Sequence, residues 1–166
     1  MSFWRNYYHL IWTTKNREPL IRPEFEGQLY SYLIKKAAEL GCYTYAIGGI
    51  IEHVHAVLAI PPKHAVAYVV KTLKGGSSHY VNHVIRPANR FDWQRGYGCL
   101  TLGETQRTRA VLYVQQQKQH HAESTANAWL ERADEFDEGP LDLGIPADGK
   151  EWVIAEQQAD YTTFPF

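Results

Sequence analysis

Aromatic and β-branched residues crowd Tyr7-Tyr8-His9-Leu10-Ile11-Trp12-Thr13-Thr14, which predicts a first strand. The polar, basic turn Lys15-Asn16-Arg17-Glu18-Pro19 ends it. Arg22-Pro23-Glu24 then opens a helix: proline suits its first turn, and early acids suit its positive end. Apolar Leu29, Tyr32, Leu33 and Leu40 recur at helical spacing, with Gly41 as the stop. Residues 42–51 predict a second strand running almost directly into a third over 52–60, so the two form a hairpin with its turn near Ile51-Glu52. Pro61-Pro62 terminates it. A second helix is predicted from Ala65 to about Val84, a loop over 82–95, and a short strand over 97–102. A last helix, capped by Thr105, is expected to run through to His121. There is no internal repeat. The order strand-helix-strand-strand-helix-strand-helix predicts a ferredoxin-like (RRM-like) βαββαβ α+β sandwich, an antiparallel sheet with one added C-terminal helix. Helices cover one sheet face, and the other stays available for a ligand, a second subunit or a further helix.

Composition changes this picture in one respect. With 166 residues, 45% apolar and 21% charged, the chain suits one globular domain with room for an appendage. The net charge of -1 conceals an asymmetry. Residues 1–122 carry fifteen Lys/Arg against seven Asp/Glu, a net +8; residues 123–166 carry two against eleven, a net -9. We therefore expect a domain over 1–121 and an acidic extension over 122–166, in which Ala128-Trp129-Leu130 extends a helix and the remainder wraps the body or moves freely. A basic body suggests a polyanionic partner, and the tail can fold over that body to limit access or simply aid solubility. Cys42 and Cys99 are too few for a disulfide scaffold or a four-cysteine zinc site, which fits a reducing, intracellular setting. Neither an apolar run long enough for a membrane span nor a secretory signal is present.

Candidate chemistry begins on the third strand, Glu52-His53-Val54-His55-Ala56-Val57-Leu58-Ala59-Ile60. Side chains alternate along a strand, so His53 and His55 share one face while Val54, Ala56 and Leu58 enter the core. Two imidazoles side by side make half of a metal site, or a pair of partly buried rings without one. On the last helix, Tyr113 and Gln117 are four apart and neighbours on one face. Gln117 can offer an amide oxygen as a third ligand and Tyr113 a hydroxyl to the same metal; singly, each also reads as an ordinary packing or surface residue. Lys71, Lys74, Gly75, Gly76, Ser77 and Ser78 form a small, basic, hydroxyl-bearing patch, either a phosphate-contacting face or a solvated one. Its spacing is not that of a phosphate-binding P-loop.

His53-Val54-His55 followed by Tyr113-x-x-x-Gln117 resembles the His-hydrophobic-His (HUH) endonucleases with one catalytic tyrosine, and more closely the small single-tyrosine transposases of simple insertion sequences and their REP-associated relatives. Other pieces match in order. These are His9-Leu10-Ile11-Trp12-Thr13-Thr14-Lys15, Ile60-Pro61-Pro62-Lys63, Val70-Lys71-Thr72-Leu73-Lys74-Gly75 with Ser77-Ser78, and Trp93-Gln94-x-Gly96-Tyr97-Gly98. Thr101-Leu102 departs mildly, at a point that carries no proposed chemistry. The resemblance covers about residues 7–121. It implies a metal-dependent transposase acting on single-stranded DNA with hairpins at the element ends, in a prokaryotic cytoplasm, as a homodimer in which the tyrosine helix can serve the partner. Carried over, His53, His55 and Gln117 hold Mg²⁺ or Mn²⁺, and Tyr113 attacks the scissile phosphate to give a 5′-phosphotyrosine and a free 3′-OH.

Imidazoles are unusual ligands for Mg²⁺, which favours oxygen, so DNA phosphate and water are expected to complete the site. Lys15, Arg17, Lys71, Lys74, Arg86, Arg90 and Arg95 are candidates for sequence-blind phosphate contacts. Tyr7, Trp12 and Trp93 are candidates for base stacking or for the core. His120 and His121, one turn beyond Gln117, either tune the site or lie on the surface. Two other readings stay open. One is a non-catalytic, domesticated protein that holds hairpin nucleic acid; the other is a zinc-dependent hydrolase, which needs a third histidine or a carboxylate ligand. Glu52 falls on the wrong strand face to supply that carboxylate.

Overall fold

A computed structural model describes residues 3–128 and 130–133. Four strands form one antiparallel sheet: β1 (Tyr7–Thr13), β2 (Tyr43–Ile50), β3 (His53–Ala59) and β4 (Gly98–Leu102). Their spatial order is β2-β3-β1-β4, so the first and third strands in sequence lie at the centre. With α1 (Pro23–Glu39) and α2 (Val66–Tyr80) in the two crossovers, this is the expected βαββαβ sandwich. α3 (Glu104–Gln115) and α4 (Gln117–Ala122) follow β4.

Strand parity divides the sheet into two chemically different faces. On β1 and β3, Leu10, Trp12, Val54, Ala56 and Leu58 pack under α1 and α2 in the main core. α1 begins with Pro23 at its first position and buries Phe25, Leu29, Leu33 and Ala37, a stripe at steps of four. Gly41 closes it at φ +73°, a conformation glycine adopts without a Cβ penalty. α2 buries Val69, Val70, Leu73 and Ser77. The opposite face carries Tyr7, Val57, Ala59 and Leu102, covered by Ala110 and Val114 of α3. The added helix lies there.

Three expectations need correction. α2 stops at Tyr80, and a π-helical turn over Val81–Ile85 follows it, closed where Arg86 at φ +57° donates its N–H to Val81 O. The last helix is two pieces, because Gln116 leaves helical geometry at φ -100°, ψ 12°. It is capped at Gly103, whose N–H donates to Gln106 Oε1 at 2.6 Å, rather than by Thr105. Ala128 and Leu130 lie in turns, Leu130 N and Glu131 N both donating to Asn127 O, so no helix is extended there. Residues 134–166, most of the acidic extension, lie outside the described residues. No helix among the described residues is long and apolar enough to cross a membrane.

The hydroxyl patch on α2 has an internal purpose. Buried Trp93 donates its indole N–H to Ser77 Oγ at 2.9 Å, and Ser78 Oγ donates to Phe91 O at 3.3 Å. Lys74 donates to the carbonyls of Gln94 and Gly96 at 2.7 and 2.6 Å. These bonds fasten residues 91–96 to the helix, and their partners are already taken. Ser77→Ala leaves a buried indole N–H without an acceptor, which costs about 1–3 kcal/mol. Urea unfolding followed by tryptophan fluorescence should show the midpoint falling accordingly; an unchanged midpoint would mean the bond contributes nothing.

Candidate active site

The site grows from the face that α3 covers. β1 and β3 pair so that Ile11 faces His55 and Thr13 faces His53, which places His9, His53 and His55 on that same side. All three rings are buried, at 1%, 0% and 0% exposure. Burial holds His53 down to about 4 and pushes His55 down as well. Both are therefore neutral at pH 7, with lone pairs available for ligation. His9 Nε2 and His55 Nδ1 lie 2.8 Å apart, and burial with the neighbouring His55 holds His9 down to about 3. If His55 Nε2 is to bind a cation, the ring's proton must sit on Nδ1, donating to His9 Nε2. His9 then stands where a carboxylate, carbonyl or water ordinarily receives a ligating histidine's second N–H.

α3 reaches this face because β2 offers no side chain beside His55. Gly48 is the cross-strand partner of His55, and a Cβ there would meet Val114 O at 2.3 Å. The helix backbone rests directly on the strand, next to Tyr113. The Tyr113 ring lies 5.9 Å from that of His55 and stacks on His120 at 4.9 Å. The break at Gln116 then turns Gln117 inward. It is 1% exposed, with Oε1 3.3 Å from His53 Nε2. One chain thus brings together His53, His55, Tyr113 and Gln117, the last two from separate helical pieces on either side of the break at Gln116.

Sequence reasoning missed the centre of the arrangement. Glu131, counted only among the tail's acids, places Oε2 3.2 Å from His53 Nε2 and 3.2 Å from His55 Nε2. Its Oε1 accepts the Tyr113 hydroxyl at 2.6 Å. His53, His55 and Glu131 each offer one ligand atom, all within 4.8 Å of one another. Burial alone would push this carboxyl up, but hydrogen bonds from His55 and Tyr113, and the attraction of the imidazoles once acid protonates them, outweigh it and hold it at about 2. Desolvation and the bond to Glu131 push Tyr113 up to about 12. The segment is held on both sides of Glu131: Leu130 is buried, and Arg132 O lies over Gly98, where a Cβ would meet it at 2.1 Å. A faint signal was present, since Trp129-Leu130 is an apolar pair in an otherwise acidic extension.

The other candidates divide. Tyr7, Trp12 and Trp93 are buried at 4%, 0% and 7% and belong to the cores, so none presents a face to a base. Lys74 is tied to backbone carbonyls. Lys15, Lys71, Arg86, Arg90 and Arg95 are exposed. Arg17, also exposed, pairs with Glu52 at 3.0 Å and donates to Glu131 O at 3.3 Å. Lys15 and Arg95 flank one junction, where Thr14 bridges Trp93 and Lys15 N donates to Asp92 O. His121 Nε2 is 3.6 Å from Glu131 Oε2, at the edge of the site.

A family model described as transposase, IS200-like, matches residues 2–117. The chain belongs to the IS200-like transposase family. Among solved structures, a candidate transposase from Deinococcus radiodurans R1 is 28% identical, over 70% of this chain and 95% of that one, with a TM-score of 0.55. A REP-associated tyrosine transposase bound to a REP hairpin shares the fold, at 17% identity and a TM-score of 0.56, covering 78% of this chain and 76% of that one. No curated protein sequence matches. Transposases of this family suggest a divalent cation, and the residues here suit one. Two neutral imidazoles, an ionised carboxylate and an amide oxygen converge, and buried His53 Nδ1 and Gln117 Nε2 have no hydrogen-bond partner among the described residues. Glu131 lies beyond the family match.

Replacing His9 by phenylalanine keeps the ring's bulk and removes the partner of His55. Mn²⁺ affinity by calorimetry should fall about 10- to 100-fold; equal affinity in the two proteins would show that His55 is oriented without it.

Proposed function

We propose that this transposase cleaves and rejoins single-stranded DNA at hairpin-bearing ends, with a divalent cation, Mg²⁺ or Mn²⁺, and Tyr113 as the nucleophile. The observation that carries the reading is the shared carboxylate. One small anion touches the tyrosine hydroxyl at 2.6 Å and both histidine Nε2 atoms at 3.2 Å. Nucleophile and histidines thus stand within the span of one carboxylate, so a phosphodiester on a cation held there would lie beside the tyrosine oxygen.

His53, His55 and Gln117 would hold the cation, which neutralises phosphoryl oxygens and fixes in-line geometry when bound. The chain's own residues do the rest. The Tyr113 oxygen bonds to the scissile phosphorus, the bond from phosphorus to the 3′ oxygen breaks, and the tyrosine's proton ends on that oxygen. One phosphodiester replaces another, so rejoining by a 3′-OH needs no outside energy source. Tyr113 titrates near 12 and Glu131 near 2, so the carboxylate orients the hydroxyl and does not deprotonate it at equilibrium. The proton leaves as the new bond forms. The stack on His120 and the N–H of Asn127, 3.1 Å from the tyrosine oxygen, fix the ring from two other sides.

Lys15, Arg17, Lys71, Arg86, Arg90 and Arg95 would supply salt-sensitive phosphate contacts on a catalytic domain of residues 1–121, to which Asn127 and Glu131 reach back from the extension. The homodimer that the resemblance implies is not needed to bring tyrosine to histidines, since one chain does so. A zinc-hydrolase reading gains from Glu131, which supplies the carboxylate missing from the sequence motif, and metal content separates the two.

Incubated with labelled hairpin DNA and Mg²⁺ or Mn²⁺, the protein should form a covalent adduct. Tyr113→Phe should bind the DNA equally and form none. Binding without any adduct in the unaltered protein would instead identify a hairpin-holding protein, and tight stoichiometric zinc a hydrolase. Gly48→Ala pushes α3 off β2 and should slow adduct formation about 100-fold; a rate within twofold would refute the role given to that contact.

A further inference from the structure

We propose that Glu131 is itself a ligand of the cation, so that residues from beyond the family-matched region complete the metal site and tie it to the nucleophile. The inference rests on the cation reading above and deepens it.

Spacing is the first argument. Around a cation with bonds of 2.0–2.1 Å, adjacent donors stand about 2.9 Å apart in an octahedron and about 3.3 Å apart in a tetrahedron. Glu131 Oε2 lies 3.2 Å from His53 Nε2 and 3.2 Å from His55 Nε2, and Gln117 Oε1 lies 3.3 Å from His53 Nε2. All three separations are those of neighbouring ligands on one ion.

Charge is the second. Two imidazoles and an amide bring no negative charge, a poor match for a hard cation that is usually held by one or two carboxylates. Glu131 brings a carboxylate whose side chain is only 14% exposed, with Oε2 3.2 Å from both imidazoles. Among the described residues, His53, His55 and Glu131 are the group that could hold an ion. Glu52 is no substitute: it lies 3.9 Å from His53 Nδ1 and is engaged with Arg17.

Anchoring is the third. A carboxylate that merely occupied the site would have to withdraw before DNA entered. Glu131 is instead flanked by buried Leu130 and by Arg132, whose carbonyl sits over the bare backbone of Gly98. Arg17 holds Glu131 O as well. A ligand has to stay, and this segment is built to stay. With Oε2 on the cation and Oε1 accepting from Tyr113, one side chain sets the distance between nucleophile and metal. Glu131 is thus both a ligand and a positioning residue.

The test is calorimetric titration of the DNA-free full chain with Mn²⁺. His53→Ala should abolish binding; if it does not, the cation site itself is misassigned, whatever Glu131 does. Given that loss, Glu131→Gln, which preserves shape and removes charge, should weaken Mn²⁺ binding at least tenfold, and Glu131→Ala should do the same or more. Thermal melts of the metal-free variants report folding separately. Because Glu131→Gln retains Leu130 and Arg132, it should melt as a cooperative unit. Unchanged or tighter Mn²⁺ binding in either Glu131 variant would overturn the proposal, tighter binding marking the carboxylate as a plug that the cation must displace.

Discussion

Parity along the two central strands governs this structure. Each step along β1 or β3 moves a side chain to the opposite face. Leu10, Trp12, Val54, Ala56 and Leu58 therefore go under α1 and α2, and His9, His53 and His55 go under α3. A slip of one residue between β1 and β3 would bring the imidazoles into the apolar core and expose the valine and leucine, so the register is held by hydrophobic burial on one side. The apolar face pays for the precision of the polar one.

On the polar face, low exposure does two things. It keeps the histidines uncharged, because a buried imidazolium is poorly solvated, and it strengthens whatever charge remains. That charge is the carboxylate of Glu131, which meets two imidazoles and a phenol at hydrogen-bonding or ligand distance. Tyr113 stays protonated in this setting. The hydroxyl keeps its proton and donates it in a hydrogen bond to the Glu131 carboxylate at 2.6 Å.

The fold was legible because its signals are local. Pro23, Gly41, Pro61-Pro62 and the aromatic, β-branched runs mark ends and strands with little help from the rest of the molecule. So was the alternation that sends His53 and His55 away from Val54 and Leu58. What escaped depends on tertiary contacts. The break at Gln116 has no proline or glycine to announce it. Ser77 and Lys74 look like phosphate contacts until Trp93, Gln94 and Gly96 are seen to occupy them. Trp12 and Trp93 look like stacking platforms until the core closes over them. Glu131 was one acid among eleven in the tail, and composition gave no reason to separate it from the others.

Nothing in the site is local. His9 meets His55 across 46 residues, His53 meets Gln117 across 64, and His55 meets Glu131 across 76. Contacts of such sequence separation form late, because large loops must close before they are made. As the chain is synthesised from its N-terminus, the sheet's central pair and both crossover helices can assemble first, while Tyr113 and Glu131 are added only later. A chain made only as far as β3 therefore holds its histidines without Tyr113, Gln117 or Glu131 beside them.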